Sequence, residues 1–188
     1  LAANVNITEE EYLEKTYGKT ACLFASSCTV GALVALLPQE SVHNLKQFGL
    51  CLGYAYQIID DLLDFLADET SLGKPVGSDL LEGNITLPVI YTLQNSQYGP
   101  TLRSMLESGE FHSGQMPEII TMLINSGAVA AALQAARLFI FRGFVCLDAL
   151  PESPGVNELK DMAAYLMDTY YQRLTQYDQE NLSKAVQI

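Results

Sequence analysis

Tyr56-Gln57-Ile58-Ile59-Asp60-Asp61-Leu62-Leu63-Asp64 lies near the end of a long apolar-periodic run, and its reading decides the fold. From about Gln39 to Leu66, the residues Leu45, Phe48, Leu52, Tyr56, Ile59, Leu63 and Leu66 recur at three- and four-residue steps, the spacing of one helical face. On that helix Gln57, Asp60, Asp61 and Asp64 follow one edge. Carboxylates so placed repel by a few tenths of a kcal/mol per pair in an isolated helix, so the arrangement makes most sense around a cation. Hard, oxygen-seeking Mg²⁺ is the natural ion, since it commonly takes one or two carboxylates and completes its shell with water and substrate phosphate. The bland alternative is a solvated acidic face near a helix end. Against it stand the apolar residues around the acids and the ammonium group of Lys74 on a glycine-flanked segment just beyond, which together make a diphosphate cradle.

Outward from this run the chain keeps its helical period. Strict alternation of the kind half-buried strands show is scarce, so the class is all-α. Thr8 followed by Glu9, Glu10 and Glu11 is an N-cap with its capping-box glutamate, opening a helix that runs, with a break near Gly18, to Leu37, where Pro38 ends it. A loop spans about 67–84, rich in Gly73, Pro75, Gly77, Ser78 and Asp79. Helix resumes at Thr86-Leu87-Pro88, because proline is tolerated in a first turn. Further helices are expected at about 87–95, 99–108, 116–125, 127–149 and 156–177, seven or so in all, as one domain over residues 1–188.

Composition narrows the function. With 49% hydrophobic residues, the 188-residue chain can bury a core and is no candidate for disorder. A net charge of −12 with no Lys/Arg cluster argues against nucleic acid as a partner. Cys22, Cys28, Cys51 and Cys146 form no C-x-x-C pair and read as reduced core thiols of a cytoplasmic protein. His43 and His112 read as surface or loop residues, and the sequons at Asn6, Asn84 and Asn181 as chance matches. Ala21–Leu37 is uncharged but short for a span and carries Ser26, Ser27, Thr29 and Gly31. It reads as a buried helix, and no transmembrane span is expected. The start at Leu1 has no signal-peptide pattern and reads as a trimmed terminus. Lys19, by its position alone, is an ordinary surface lysine.

Three stretches in order, Lys19-Thr20-Ala21-Cys22-Leu23-Phe24, Gln57 to Asp64, and Leu72-Gly73-Lys74-Pro75-Val76-Gly77-Ser78-Asp79 on to Glu82-Gly83-Asn84-Ile85-Thr86-Leu87-Pro88, resemble the C-terminal half of trans-polyprenyl diphosphate synthases. The likeness is closest to the octaprenyl and solanesyl type, and is specific over residues 8–93. It implies an isoprenoid-synthase-like helical bundle, here incomplete. It also implies a Mg²⁺-dependent condensation of isopentenyl diphosphate with an allylic prenyl diphosphate, and a homodimer in the full-length form. By this resemblance Asp60 and Asp61 lie near metal with Asp64 assisting, Lys19, Thr20 and Lys74 hold the allylic diphosphate, and Gln57 orients groups near the reacting carbons. The family's earlier aspartate-rich motif and its arginine pair have no counterpart, since Arg103, Arg137, Arg142 and Arg173 are isolated. One wall of the active site is thus expected here, and the chain alone is expected to be inactive. The competing readings are a non-catalytic partner subunit of a heteromeric synthase, against which the intact acids speak, and an unrelated acidic helical protein binding calcium, for which no calcium loop is present.

Overall fold

A computed structural model describes residues 4–66, 75–108 and 112–168, and every regular element among them is helical. In order these are α1 (Glu9–Thr16), a π-helical turn (Tyr17–Ala21), α2 (Cys22–Val34), α3 (Gln39–Leu66), α4 (Ser78–Leu81), α5 (Leu87–Gln94), α6 (Gly99–Glu107), a 3₁₀ turn (Ser113–Gln115), α7 (Met116–Asn125), α8 (Ala128–Asp148) and α9 (154–168). The all-α expectation holds, and α1 starts where Thr8 predicts. The chain divides into two compact units, with one boundary inside α3 between Ile59 and Asp60 and another inside α8 between Leu133 and Gln134.

The unit of Glu10–Ile59 and Gln134–Asp168 is built on a close helix pair. Gly49 and Gly53 lie one turn apart on α3. A Cβ on Gly53 would stand 2.6 Å from the Ala21 Cα, and one on Gly49 2.6 Å from the Phe24 carbonyl oxygen. Only glycine admits backbones so near. Ala21 at the end of the π turn and Ala25 on α2 meet α3 there, and both are buried, as is Ala32 further along α2. This corrects the buried-helix reading of Ala21–Leu37. Because the buried positions are alanine, the large residues Leu23, Val30, Leu33 and Val34 point outward and are mostly exposed. The helix also stops before Pro38: Leu36 turns left-handed (φ 54°) and the Leu37 N–H reaches back to the Ala32 carbonyl at 3.1 Å, a Schellman-type end. The break expected near Gly18 is not an interruption. It is a π turn in which the Cys22 N–H bonds the Tyr17 carbonyl, five residues back.

The four cysteines are unpaired but half-buried, so they flank the core and do not fill it. Burial pushes the thiols of Cys28 and Cys146 up, and that of Cys51 up to about 11, where Cys146 adds to the shift and Arg142 opposes it. On α8, Phe139 stacks on Tyr54 of α3 at 4.9 Å, and Gly143 lets α8 approach Phe48 and Cys51. By length and composition alone α8 is apolar enough to cross a membrane, a candidate that the sequence reading, which tested Ala21–Leu37, passed over.

The unit of residues 4–9 and Asp60–Leu133 packs Leu62, Phe65 and Leu66 of α3 into a core with Leu80, Leu87, Ile90, Leu102, Ile119 and Leu123, all buried. Pro88 sits in the first turn of α5 as its fixed φ allows. The Asn95 carboxamide oxygen accepts the N–H groups of Gln97 and Tyr98, turning the chain from α5 into α6. The Tyr91 hydroxyl donates to the Glu9 carboxylate and is pushed up to about 12, chiefly by burial and then by the Glu9 charge and bond. His112 is an exposed loop residue, as expected, whose N–H donates to Gln115 Oε1 at 3.2 Å ahead of the 3₁₀ turn. His43 is exposed on α3.

Candidate functional site

The first group of predicted residues stands on the π turn and α3. The extra residue of the π turn widens the helix where Lys19 and Thr20 sit, and such turns recur at functional sites. Lys19 is exposed and Thr20 half-buried. The Thr20 hydroxyl donates to Gln57 Oε1 at 2.6 Å, a short and strong bond across 37 residues of sequence. Gln57 is otherwise buried, so this bond fixes which way its amide faces. Spacing on α3 could place Gln57 beside the acids but could not foresee Thr20 as its partner. That pairing depends on the Gly53–Ala21 approach, which sequence periodicity does not encode. Beside it the rings of Phe24 and Tyr56 lie 5.6 Å apart.

The second group lies on the end of α3 beyond Asp60. Asp60 is exposed, while Asp61 and Asp64 are 2% and 1% exposed in a stretch whose other residues are all apolar and buried. Buried carboxylates must be hydrogen-bonded to persist. Asp64 meets that demand through its following chain. Its Oδ1 accepts the Ser78 hydroxyl at 2.8 Å, its Oδ2 accepts the Asp79 N–H at 3.0 Å, and its carbonyl accepts the Gly77 N–H at 2.7 Å. The carboxylate thus takes up two donors at the start of α4, the turn of helix that stands inside the expected loop. Gly77 makes the join in the left-handed region (φ 71°), with Met116 filling the place of a Cβ. The sequence reading named Ser78 and Asp79 only as polar loop residues. The signal that could have marked them is the Gly-Ser-Asp order, a left-handed residue followed by capping side chains. Lys74 lies outside the described residues.

Among the described residues no group of three His, Cys, Asp or Glu side chains is placed to hold a metal ion. The acids present are hard oxygen donors, and one or two of them is what Mg²⁺ commonly takes from a protein, so the donor chemistry fits that ion as a partial shell. Thr86, in the segment that precedes α5, keeps a buried hydroxyl with no protein partner. A shallow open hollow of about 850 Å³ between α6 and the 3₁₀ turn, lined by Ser104, Met105, His112 and Gln115 among others, contains none of the predicted site residues.

Comparison with known proteins bears on these groups together. The polyprenyl synthetase family profile matches residues 1–123, a span that contains Lys19, Thr20, Gln57, Asp60, Asp61, Asp64 and Lys74. Heptaprenyl diphosphate synthase component 2 of Bacillus subtilis (strain 168) is 39% identical over 158 residues, 82% of this chain and 44% of that protein. Solanesyl diphosphate synthase 1, chloroplastic, of Arabidopsis thaliana is 36% identical over 159 residues, 85% of this chain and 38% of that protein. The crystal structure of a polyprenyl synthase from Caulobacter crescentus CB15, complexed with calcium and isoprenyl diphosphate, superposes with a TM-score of 0.79 at 27% identity, over 88% of this chain and 51% of that one. The chain spans about half the length of the relatives it matches. The likeness also runs past the motif-bearing stretch 8–93, since the aligned lengths take in most of the chain. This chain belongs to the polyprenyl synthetase family.

Proposed function

We propose that the chain is part of one synthase domain that joins isopentenyl diphosphate to an allylic prenyl diphosphate, head to tail, to make a long-chain polyprenyl diphosphate. The observation that carries this reading is that the family match spans all seven predicted site residues, with Thr20 and Gln57 already bonded to each other. The difficult event in such a condensation is departure of the allylic diphosphate, which leaves negative charge on phosphate oxygens and positive charge on carbon. Fixed charges aimed at the leaving group supply most of the help. Lys19 and Lys74 offer ammonium groups to that diphosphate, Thr20 positions Gln57, and the Gln57 amide, held by the 2.6 Å bond, presents a fixed dipole toward the reacting carbons. Asp60 and Asp61 would hold Mg²⁺, and Asp64 keeps the following turn in place through Ser78 and Asp79. When bound, the ion supplies Lewis-acid and templating chemistry at the diphosphate. The remaining groups, including most contacts to isopentenyl diphosphate, are expected from the half of the relatives that this chain does not match. The working form is a homodimer of full-length subunits in the cytoplasm, and the unpaired thiols among the described residues favour a reducing compartment.

A second reading is favoured by one finding: the Bacillus subtilis relative is named a component. On that reading the chain works within an assembly of unlike subunits, as a partner that completes another chain.

Calorimetric titration of the chain with a non-hydrolysable allylic diphosphate analogue, with and without Mg²⁺, tests the site. Binding that needs Mg²⁺ and disappears in Asp60→Ala is expected. Binding indifferent to both removes the assigned roles. In a full-length synthase carrying these residues, Asp60→Ala or Lys74→Ala lowers turnover by about 10²–10³-fold, the usual effect of losing one charge-stabilising group. Turnover like the parent's in both variants ends the proposal.

A further inference from the structure

Among the described residues, one buried side-chain polar atom has no protein partner, the Oγ1 of Thr86. Its surroundings in the same unit satisfy their other buried polar groups. Thr92 is fully buried, yet its hydroxyl donates to the Pro88 carbonyl at 2.9 Å and meets the Ser126 hydroxyl at 3.0 Å. The Asp64 carboxylate takes up two donors. A buried hydroxyl left alone forfeits its bonds to water, so the exception at Thr86 demands a physical reason.

The position of Thr86 supplies one. It stands just before the first turn of α5 with the extended backbone of a helix N-cap (φ −104°, ψ 171°), and its carbonyl accepts the Ile90 N–H at 3.0 Å, as an N-cap carbonyl does. An N-cap threonine ordinarily uses its hydroxyl to accept the N–H of the second or third helical residue. Here the second is Pro88, which has no N–H, and the hydroxyl makes no bond to the third, Val89. Val89 is fully buried too, and its N–H, like every N–H of a first turn, has no acceptor inside the helix. The start of α5 thus encloses an acceptor and a donor within one turn of each other, and the two are not bonded together.

What completes them must be small, neutral and internal. The Thr86 oxygen is closed off by this chain's own atoms, so a side chain of another subunit, or of the half of the relatives that this chain does not match, cannot reach it. An anion, the usual guest of a helix start, is unsuited, because the residues from Ile85 to Ile90 are uncharged and buried and would leave its charge uncompensated. A single water molecule meets each condition. It needs about two to four polar partners, and it can accept an N–H while bonding a hydroxyl in either direction.

We propose that the start of α5 is an internal binding site for one water molecule, which accepts the Val89 N–H and bonds Thr86 Oγ1, and so supplies the cap that the threonine does not make directly. The site fastens the chain arriving from Ser78 and Asp79 to the first turn of α5, and it stands whether or not the proposed condensation does.

The test is magnetic relaxation dispersion of the solvent, which counts waters held long enough to tumble with the protein, on the 188-residue parent chain, Thr86→Val and Thr86→Ser. Thr86→Val keeps the shape of the side chain without its hydroxyl. It is expected to hold one long-lived water fewer than the parent and to lower Tm by roughly 2–8 °C, whereas Thr86→Ser keeps the water. Equal counts in the parent and Thr86→Val overturn the proposal. So does a Tm that rises in Thr86→Val, the result for a hydroxyl with no partner at all. If Thr86→Val does not fold, a crystal structure of the parent decides. A water within about 3.2 Å of both Thr86 Oγ1 and the Val89 nitrogen supports the site, and a hydroxyl turned directly onto the Val89 N–H, or no density between the two, overturns it.

Discussion

Replacing Gly53 by alanine tests the contact that sets Thr20 against Gln57. The new Cβ would stand 2.6 Å from the Ala21 Cα and 3.1 Å from its Cβ, whereas ordinary contact begins at 3.4 Å. The two helices must therefore separate by about 0.8 Å (3.4 − 2.6), because both atoms at the nearest point belong to backbone or to a side chain with no rotamer to yield. Overpacking of this kind costs about 1–3 kcal/mol. The same displacement stretches the Thr20–Gln57 bond from 2.6 Å toward 3.4 Å, outside the useful range for O–H···O, and removes about 1 kcal/mol more. Alanine's better helix propensity offsets about 1 kcal/mol. The balance is a loss of about 1–3 kcal/mol, or roughly 2–12 °C in Tm at about 2–4 °C per kcal/mol for a chain of this size. Thermal and urea unfolding followed by circular dichroism measure it. The control is Gly31→Ala on α2, where a Cβ meets nothing within 4 Å, so the same chemical change should stabilise by up to about 1 kcal/mol. A Gly53→Ala chain as stable as the parent would refute the close approach of α2 and α3, and with it the account of how Gln57 is held.

Asp64 and Asp60 should separate in stability as they do in burial. Asp64→Ala strands the Ser78 hydroxyl and the Asp79 N–H and lowers stability by about 2–4 kcal/mol, whereas Asp60→Ala at an exposed position stays within about 0.5 kcal/mol in urea unfolding; equal effects would contradict the geometry. For Tyr91, a folded pKa raised to about 12 from an unfolded value near 10 means the proton is held more tightly in the native state. Its stabilising effect is complete below about pH 10 and is lost as pH rises through 12, so Tyr91→Phe should flatten the fall in stability across that window, and an unchanged slope would count against the Glu9 contact. Cys51, with its thiol near 11, should react with iodoacetamide about tenfold faster per pH unit up to that value, as peptide mass spectrometry would follow. A plateau near pH 9 would show that its burial is overstated.

What the sequence makes legible here is whatever depends on one helix at a time. The run from Leu45 to Leu66 announces α3 because its apolar spacing is that of a single face, and Thr8, Pro38 and Pro88 mark ends through local backbone chemistry. The acids on α3 are legible for the same reason, as a pattern along one helix. Relations between elements are not legible, because they turn on close contacts that no period reports. Ala21–Leu37 looks like a helix to be buried, yet Gly49 and Gly53 invite only its alanines, and the larger side chains are left outside. Asp64 looks equivalent to Asp60 in the D-D-x-x-D spacing. Fourteen residues later Ser78 and Asp79 claim its carboxylate, and nothing in the spacing distinguishes an acid held by its own chain from one that faces solvent. The two acids differ because α3 passes from a half-covered helix to one enclosed on nearly all sides at Ile58–Leu66, with Asp60 alone left exposed there. Asp64 in that enclosed stretch takes donors from its own chain, whereas Asp60 faces solvent. If that distinction holds, exchange of the two roles is impossible by spacing-preserving mutation: Asp60→Asn should abolish Mg²⁺-dependent diphosphate binding while the fold persists, and no acid at position 64 can substitute for it.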